Sequence, residues 1–130
     1  MIMHGMIAEG VEVVDAVRRR HDGARRNPFN DIECGSYYAR SMSAWQLVNA
    51  FSGLSADFVD GRLAFAPKLD GDYDLFWSAG EGYGRLKRTG DRMTLSVLGG
   101  SLDVGQVMVD GVSHGGATLA AGESLELGAA

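Results

Sequence analysis

Phe58-Val59-Asp60-Gly61-Arg62-Leu63-Ala64-Phe65 is the stretch at which this chain changes character. Before it the apolar residues recur every three or four positions; from here on they recur every two. Two short apolar runs flanking Asp60-Gly61 predict strand, tight turn and strand, because Asp-Gly readily takes the left-handed conformations that a hairpin turn needs. Pro67 closes the unit. Downstream, Leu75-Phe76-Trp77, 84–88, 93–98 and 102–109 read as further antiparallel strands, with turns at Thr89-Gly90-Asp91, Asp110-Gly111 and Gly122-Glu123. The 19 glycines concentrate after Gly53 among strand-forming residues, a pattern of tight turns rather than of disorder.

Upstream, the period is helical. Met3, Met6, Ile7, Val14 and Val17 fall at three- and four-residue steps, with Glu9, Glu12 and Asp15 mostly elsewhere, which predicts an amphipathic helix from about His4 to Arg20. Its acids come early, and its arginines come late, where cations complement the helix dipole. Gly23 stands as a stop signal, and Gly10 within the helix marks a close approach to a neighbouring helix. A second helix is predicted from Ser36, a good N-cap, to just before Gly53. Tyr38, Met42 and Trp45 form one apolar row on it, and Ala44, Val48 and Phe51 the next. The boundary between helical and strand patterns lies near residues 52–57.

Composition excludes several functions. The net charge of −5 argues against nucleic acid or an anionic membrane as partner, since such proteins carry a basic excess. A single Cys34 forms no internal disulfide, and His4, His21 and His114 lack metal-ligand spacing, so no cofactor or metal is expected. The N-terminus lacks the pattern of a secretory signal, and no window approaches the ~20 apolar residues of a transmembrane segment. A cytoplasmic setting is the expectation.

The chemistry is densest between the two predicted helices, at 27–40, where Asp31, Glu33, Cys34, Tyr37, Tyr38 and Arg40 stand close together. In an extended segment Asp31 and Glu33, two apart, project to the same side. Two acids so placed suit gripping adjacent hydroxyls by charge-assisted hydrogen bonds. They do not suit the acid pair of a glycosidase, which flanks the scissile bond from two sides. Arg40 is placed to orient one of these acids with its guanidinium fork, and Tyr37 to offer an aromatic face. Cys34 lacks a neighbouring histidine and reads as a packed thiol.

The run 26–45, RNPFNDIECGSYYARSMSAW, resembles the last conserved segment of the catalytic domain of glycoside hydrolase family 116, which includes non-lysosomal glucosylceramidases and bacterial β-glucosidases. Ala8-Glu9-Gly10, the turn at 21–23 and the Gly-rich strands after Leu54 are also similar to that family's C-terminal end. The resemblance implies an α+β fragment: two helices of an (α/α)6 toroid over 1–53, then a Gly-rich antiparallel β region over 54–130. It implies a retaining hydrolysis of a β-glucoside or glucosylceramide-like substrate, with Glu33 or Asp31 and Arg40 binding glucosyl hydroxyls. No segment matches the family's catalytic carboxylates, which are expected upstream of Met1, in the remainder of the catalytic domain; the fragment alone is expected to be inactive. The alternative is a non-enzymatic carbohydrate-binding or interaction module whose strands form the binding face.

Overall fold

The computed structural model describes residues 1–20, 24 and 41–128, with backbone alone for 41–44, and its chain divides into two compact units, Met1–Val48 and Asn49–Ala130. The first unit opens with one 3-10 turn, Ile2–His4, closed by Gly5 at φ 82. Helix α1, Ile7–Arg20, follows. The left-handed Gly5 thus delays the helix predicted from about His4 until Ile7, because α-helical hydrogen bonding does not continue through a positive φ; its predicted end at Arg20 stands. Gly10 does mark a close approach, but to this turn: a Cβ there would stand 2.5 Å from Ile2 Cγ1. Ile2 is accordingly buried, whereas Met3, Met6, Val11, Val13 and Val14 are exposed. Asp15 and Arg19 pair at 2.7 Å across one turn of α1, an exposed contact of the kind that adds only tenths of a kcal/mol.

Helix α2, Ser41–Ser52, ends where the sequence predicts, at Gly53. Its expected start at Ser36 lies outside the described residues. The hydroxyl of fully buried Ser52 is satisfied, donating to the Asn49 carbonyl and accepting from Leu54 N–H.

Nine strands build the second unit: β1 Ser55–Asp57, β2 Arg62–Phe65, β3 Tyr73–Ala79, β4 Gly82–Thr89, β5 Arg92–Val104, β6 Gln106–Val109, β7 Val112–Ser113, β8 Ala117–Ala120 and β9 Ser124–Leu127. They form two sheets. One has the order β1-β2-β6-β7; the other has β3-β4-β5-β8, with β9 also pairing β5. The hairpin at Asp60-Gly61 exists, with its turn spanning Phe58 to Gly61. Asp57 takes the chain out of the strand early, its carboxylate accepting from the N–H groups of Val59 and Asp60. At Asp110-Gly111 both residues have positive φ, and Val109 pairs with Val112, so a two-residue turn joins β6 to β7.

β5 is the spine of the second sheet, with β4 on one side and β9 then β8 along the other. Its inward residues are Met93, Leu95 and Val97, then Leu102 and Val104. That one-residue change of phase needs an extra residue, and the register supplies it: Gly84 pairs with Val97 and Tyr83 with Gly99, which leaves Leu98 as a bulge. The predicted strand over 102–109 is divided for a different reason, since Val104 ends β5 in one sheet and Gln106 begins β6 in the other.

Inward residues of both sheets meet in a single cluster, with Leu63, Phe65, Val107 and Val109 from one and Leu75, Trp77, Leu86 and Leu95 from the other. This overturns the toroid assignment. The class α+β stands, but the described residues hold only two helices, and the strands bury a core of their own between two layers, as a sandwich does. Nor is the β region wholly antiparallel: β2 and β6 run parallel, Arg62 to Phe65 beside Gln106 to Val109.

One titratable group sits in this core. Burial pushes the Tyr73 phenol above its ordinary 10.0; Asp110 adds to the rise and Arg88 opposes it. The unfolded chain therefore releases this proton first as pH rises. Stability is unaffected below about pH 10 and falls above it until the folded-state value is passed. Tyr73→Phe is expected to lessen this alkaline loss, read as a smaller drop in urea midpoint between about pH 8 and pH 10.5. An equal drop in both proteins would contradict it.

Candidate functional site

Glu33, Asp31, Arg40 and Tyr37, with Cys34, lie outside the described residues. What the structure does describe, within the second unit, is the end of α2 from Asn49 to Ser52. The last turn of α2 is tied to the β unit by backbone bonds, Ala66 N–H to Ser52 O at 3.1 Å and Lys68 N–H to Phe51 O at 2.8 Å. These occupy carbonyls that a helix end otherwise leaves open. Gly53 makes the approach possible: its φ is 59, and a Cβ would run into the Ala66 carbonyl. Before this anchored end, Trp45 is exposed, so the predicted row of Tyr38, Met42 and Trp45 does not bury its last member.

A second concentration of chemistry lies on the outer face of β3, β4 and β5. Alternation sends Leu75, Trp77 and Leu86 into the core and Asp74, Phe76, Tyr83 and Arg85 outward. Phe76 is directly opposite Arg85 in the antiparallel register, so Tyr83 and Asp74 fall on its two sides. The Phe76 and Tyr83 rings lie 6.3 Å apart and tilted by 37°, and Arg85 Nη1 stands 3.4 Å from Asp74 Oδ2. Phe76 and Tyr83 are 37% and 47% exposed, so the two rings present apolar surface on the solvent side of the sheet.

The ring of Tyr83 is laid over the backbone of Gly99. A Cβ at Gly99 would come within 2.6 Å of Tyr83 Cζ and Oη, so the ring lies flat only because residue 99 has no side chain. This face was legible but unread in the sequence. Phe76 between Leu75 and Trp77, and Tyr83 and Arg85 on either side of Gly84, are out of phase with the core, and period two alone puts them on the polar side.

Among the described residues no group of three or more His, Cys, Asp or Glu is placed to hold a metal ion. Likewise, no described helix is long and apolar enough to cross a membrane. The sequence matches no protein-family model and no curated protein.

Proposed function

We propose that this chain is the sugar-gripping part of a retaining β-glucosidase- or glucosylceramidase-like glycoside hydrolase. In this reading Glu33, Asp31 and Arg40 hold glucosyl hydroxyls, Tyr37 stacks on the sugar, and the nucleophile and acid/base come from polypeptide outside this sequence. The observation that carries it is the segment 26–45. It combines two acids at a spacing that faces one ligand, an arginine able to orient them, and the resemblance to the family 116 segment that binds glucose.

Sugar recognition depends on groups held to within about half an ångström. Retaining hydrolysis also needs a second carboxyl group about 5–5.5 Å from the first, across the scissile bond. Asp31 and Glu33 on one side of the sugar do not meet that requirement, so binding without turnover is the expected property of the chain by itself. A lone cysteine fits a reducing, cytoplasmic setting for it.

The test is calorimetric titration of the whole chain with glucose and with a thio-linked β-glucoside, which cannot be hydrolysed. Glu33→Gln and Arg40→Met are each expected to weaken binding about tenfold or more, since each removes a charge-assisted hydrogen bond. Affinity that survives both substitutions would sink the assignment, as would preference for a sugar lacking the gluco configuration.

A further inference from the structure

We propose that the outer face of β3, β4 and β5 is a separate binding surface for a soluble, neutral, β-linked oligosaccharide. Tyr83 stacks against a pyranose ring there, and the Arg85–Asp74 pair holds its hydroxyls. The proposal stands on this face alone and does not depend on Glu33 or Arg40.

The chemistry of the face matches that of a sugar more closely than that of other ligands. A β-linked pyranose has an apolar side made of C–H groups and an equatorial rim of hydroxyls. The Tyr83 ring, close over Gly99 and 47% exposed, offers aromatic surface to such C–H groups. Each rim hydroxyl both donates and accepts. Arg85 supplies only donors and Asp74 only acceptors, 3.4 Å apart and immediately beside the aromatic pair, so adjacent hydroxyls find both partners together. Phe76 completes the platform on the neighbouring strand.

Charge disfavours the main competitor. Single-stranded nucleic acid also stacks on exposed rings, but it needs a basic groove along its backbone. Here Arg85 lies 3.4 Å from Asp74, Lys87 is paired with the same Asp74 across the strands, and Arg92 lies 3.7 Å from Glu126, so these five groups sum to a single positive charge, far short of such a groove. The 37° tilt between the two rings narrows the ligand further. Two rings that do not share a plane cannot both lie flat on a crystalline polysaccharide, whereas a soluble chain twists to meet them.

The test uses backbone amide shifts of the whole chain during titration with cellotetraose, xylotetraose and mannotetraose, and separately with a thymidine tetranucleotide. At least one of the sugars is expected to give saturable shifts at Tyr83, Arg85 and Gly99. Tyr83→Ala is expected to weaken that binding about tenfold, the scale of one lost aromatic contact. Gly99→Ala touches no ligand group but lifts the Tyr83 ring, and it is expected to weaken binding several-fold while the amide spectrum of the core stays unchanged. Glu33→Gln is expected to leave these shifts intact. Tighter binding of the tetranucleotide, no saturable shift at this face with any sugar, or tetrasaccharide binding indifferent to Tyr83→Ala overturns the proposal. Loss of glucose binding in Glu33→Gln bears only on the loop, so the two sites fail separately.

Discussion

Trp77→Ala is expected to destabilise the β unit by about 3–5 kcal/mol, the range for truncating a fully buried large aromatic. Trp77 is 0% exposed and sits in the cluster shared by the two sheets, so its removal leaves a cavity that strands on both sides cannot collapse to fill. The site is shaped for the indole. Trp77 pairs with Gly84 on the adjacent strand, and a Cβ at Gly84 would stand 3.0 Å from Trp77 Cζ2. Against the 5–15 kcal/mol of an ordinary domain, the loss removes a large share of the total. Trp77→Phe is expected to cost clearly less than alanine. Trp77 Nε1 has no hydrogen-bond partner among the described residues, and phenylalanine keeps much of the ring volume while removing a buried donor. Urea unfolding followed by far-ultraviolet circular dichroism measures both. A cost below about 1 kcal/mol for alanine would mean that Trp77 is not the centre of this core.

The second large effect is expected at Gly53. Gly53→Ala should cost about 2–3 kcal/mol through two separate causes. The residue has φ 59, which an L side chain resists, and the added Cβ would meet the Ala66 carbonyl carbon at 2.7 Å. Relief requires moving the strand exit at Ala66 away from the end of α2, so protection of the Ala66 and Lys68 amides against hydrogen exchange should fall as well. Gly71→Ala is the control. Its φ is 72 but nothing lies within 4 Å of the added atom, so only the conformational cost of about 1–2 kcal/mol applies. Equal losses at the two positions would show that the approach of Ala66 contributes nothing.

Much of the local structure could be read from residue order. The end of α2 at Gly53 and the turn at Asp110-Gly111 follow from conformations that glycine or an Asp-Gly pair takes readily. The strand alternation through Leu75, Trp77, Leu86 and Leu95 was equally visible, because side-chain direction in a strand depends on parity alone. Where local reasoning failed, another local group competed. The Asp57 carboxylate captured the N–H groups that would have extended the first hairpin, and Gly5 broke α1 from the turn before it.

The candidate sites divide in the same way. Asp31, Glu33, Tyr37 and Arg40 are candidates by density of chemistry and by resemblance alone, and they lie outside the described residues. The face around Tyr83 escaped because its members come from two strands, and register, not spacing in the chain, makes them neighbours. Its glycine comes from a third strand, 16 residues from Tyr83, and no pattern in the sequence joins the two.

What residue order determined by itself is the change from helical to strand period near Gly53, the class α+β, and which side of each strand is apolar. These are short-range consequences of propensity, parity and turn chemistry. The tertiary structure alone decided that the strands form two layers around one core rather than an appendage to a helical toroid, that β2 runs parallel to β6, and that Tyr83 lies over Gly99. Each of these joins segments far apart in the chain. Their pairing is chosen by how much apolar surface the whole arrangement buries, a quantity that no local stretch of sequence contains.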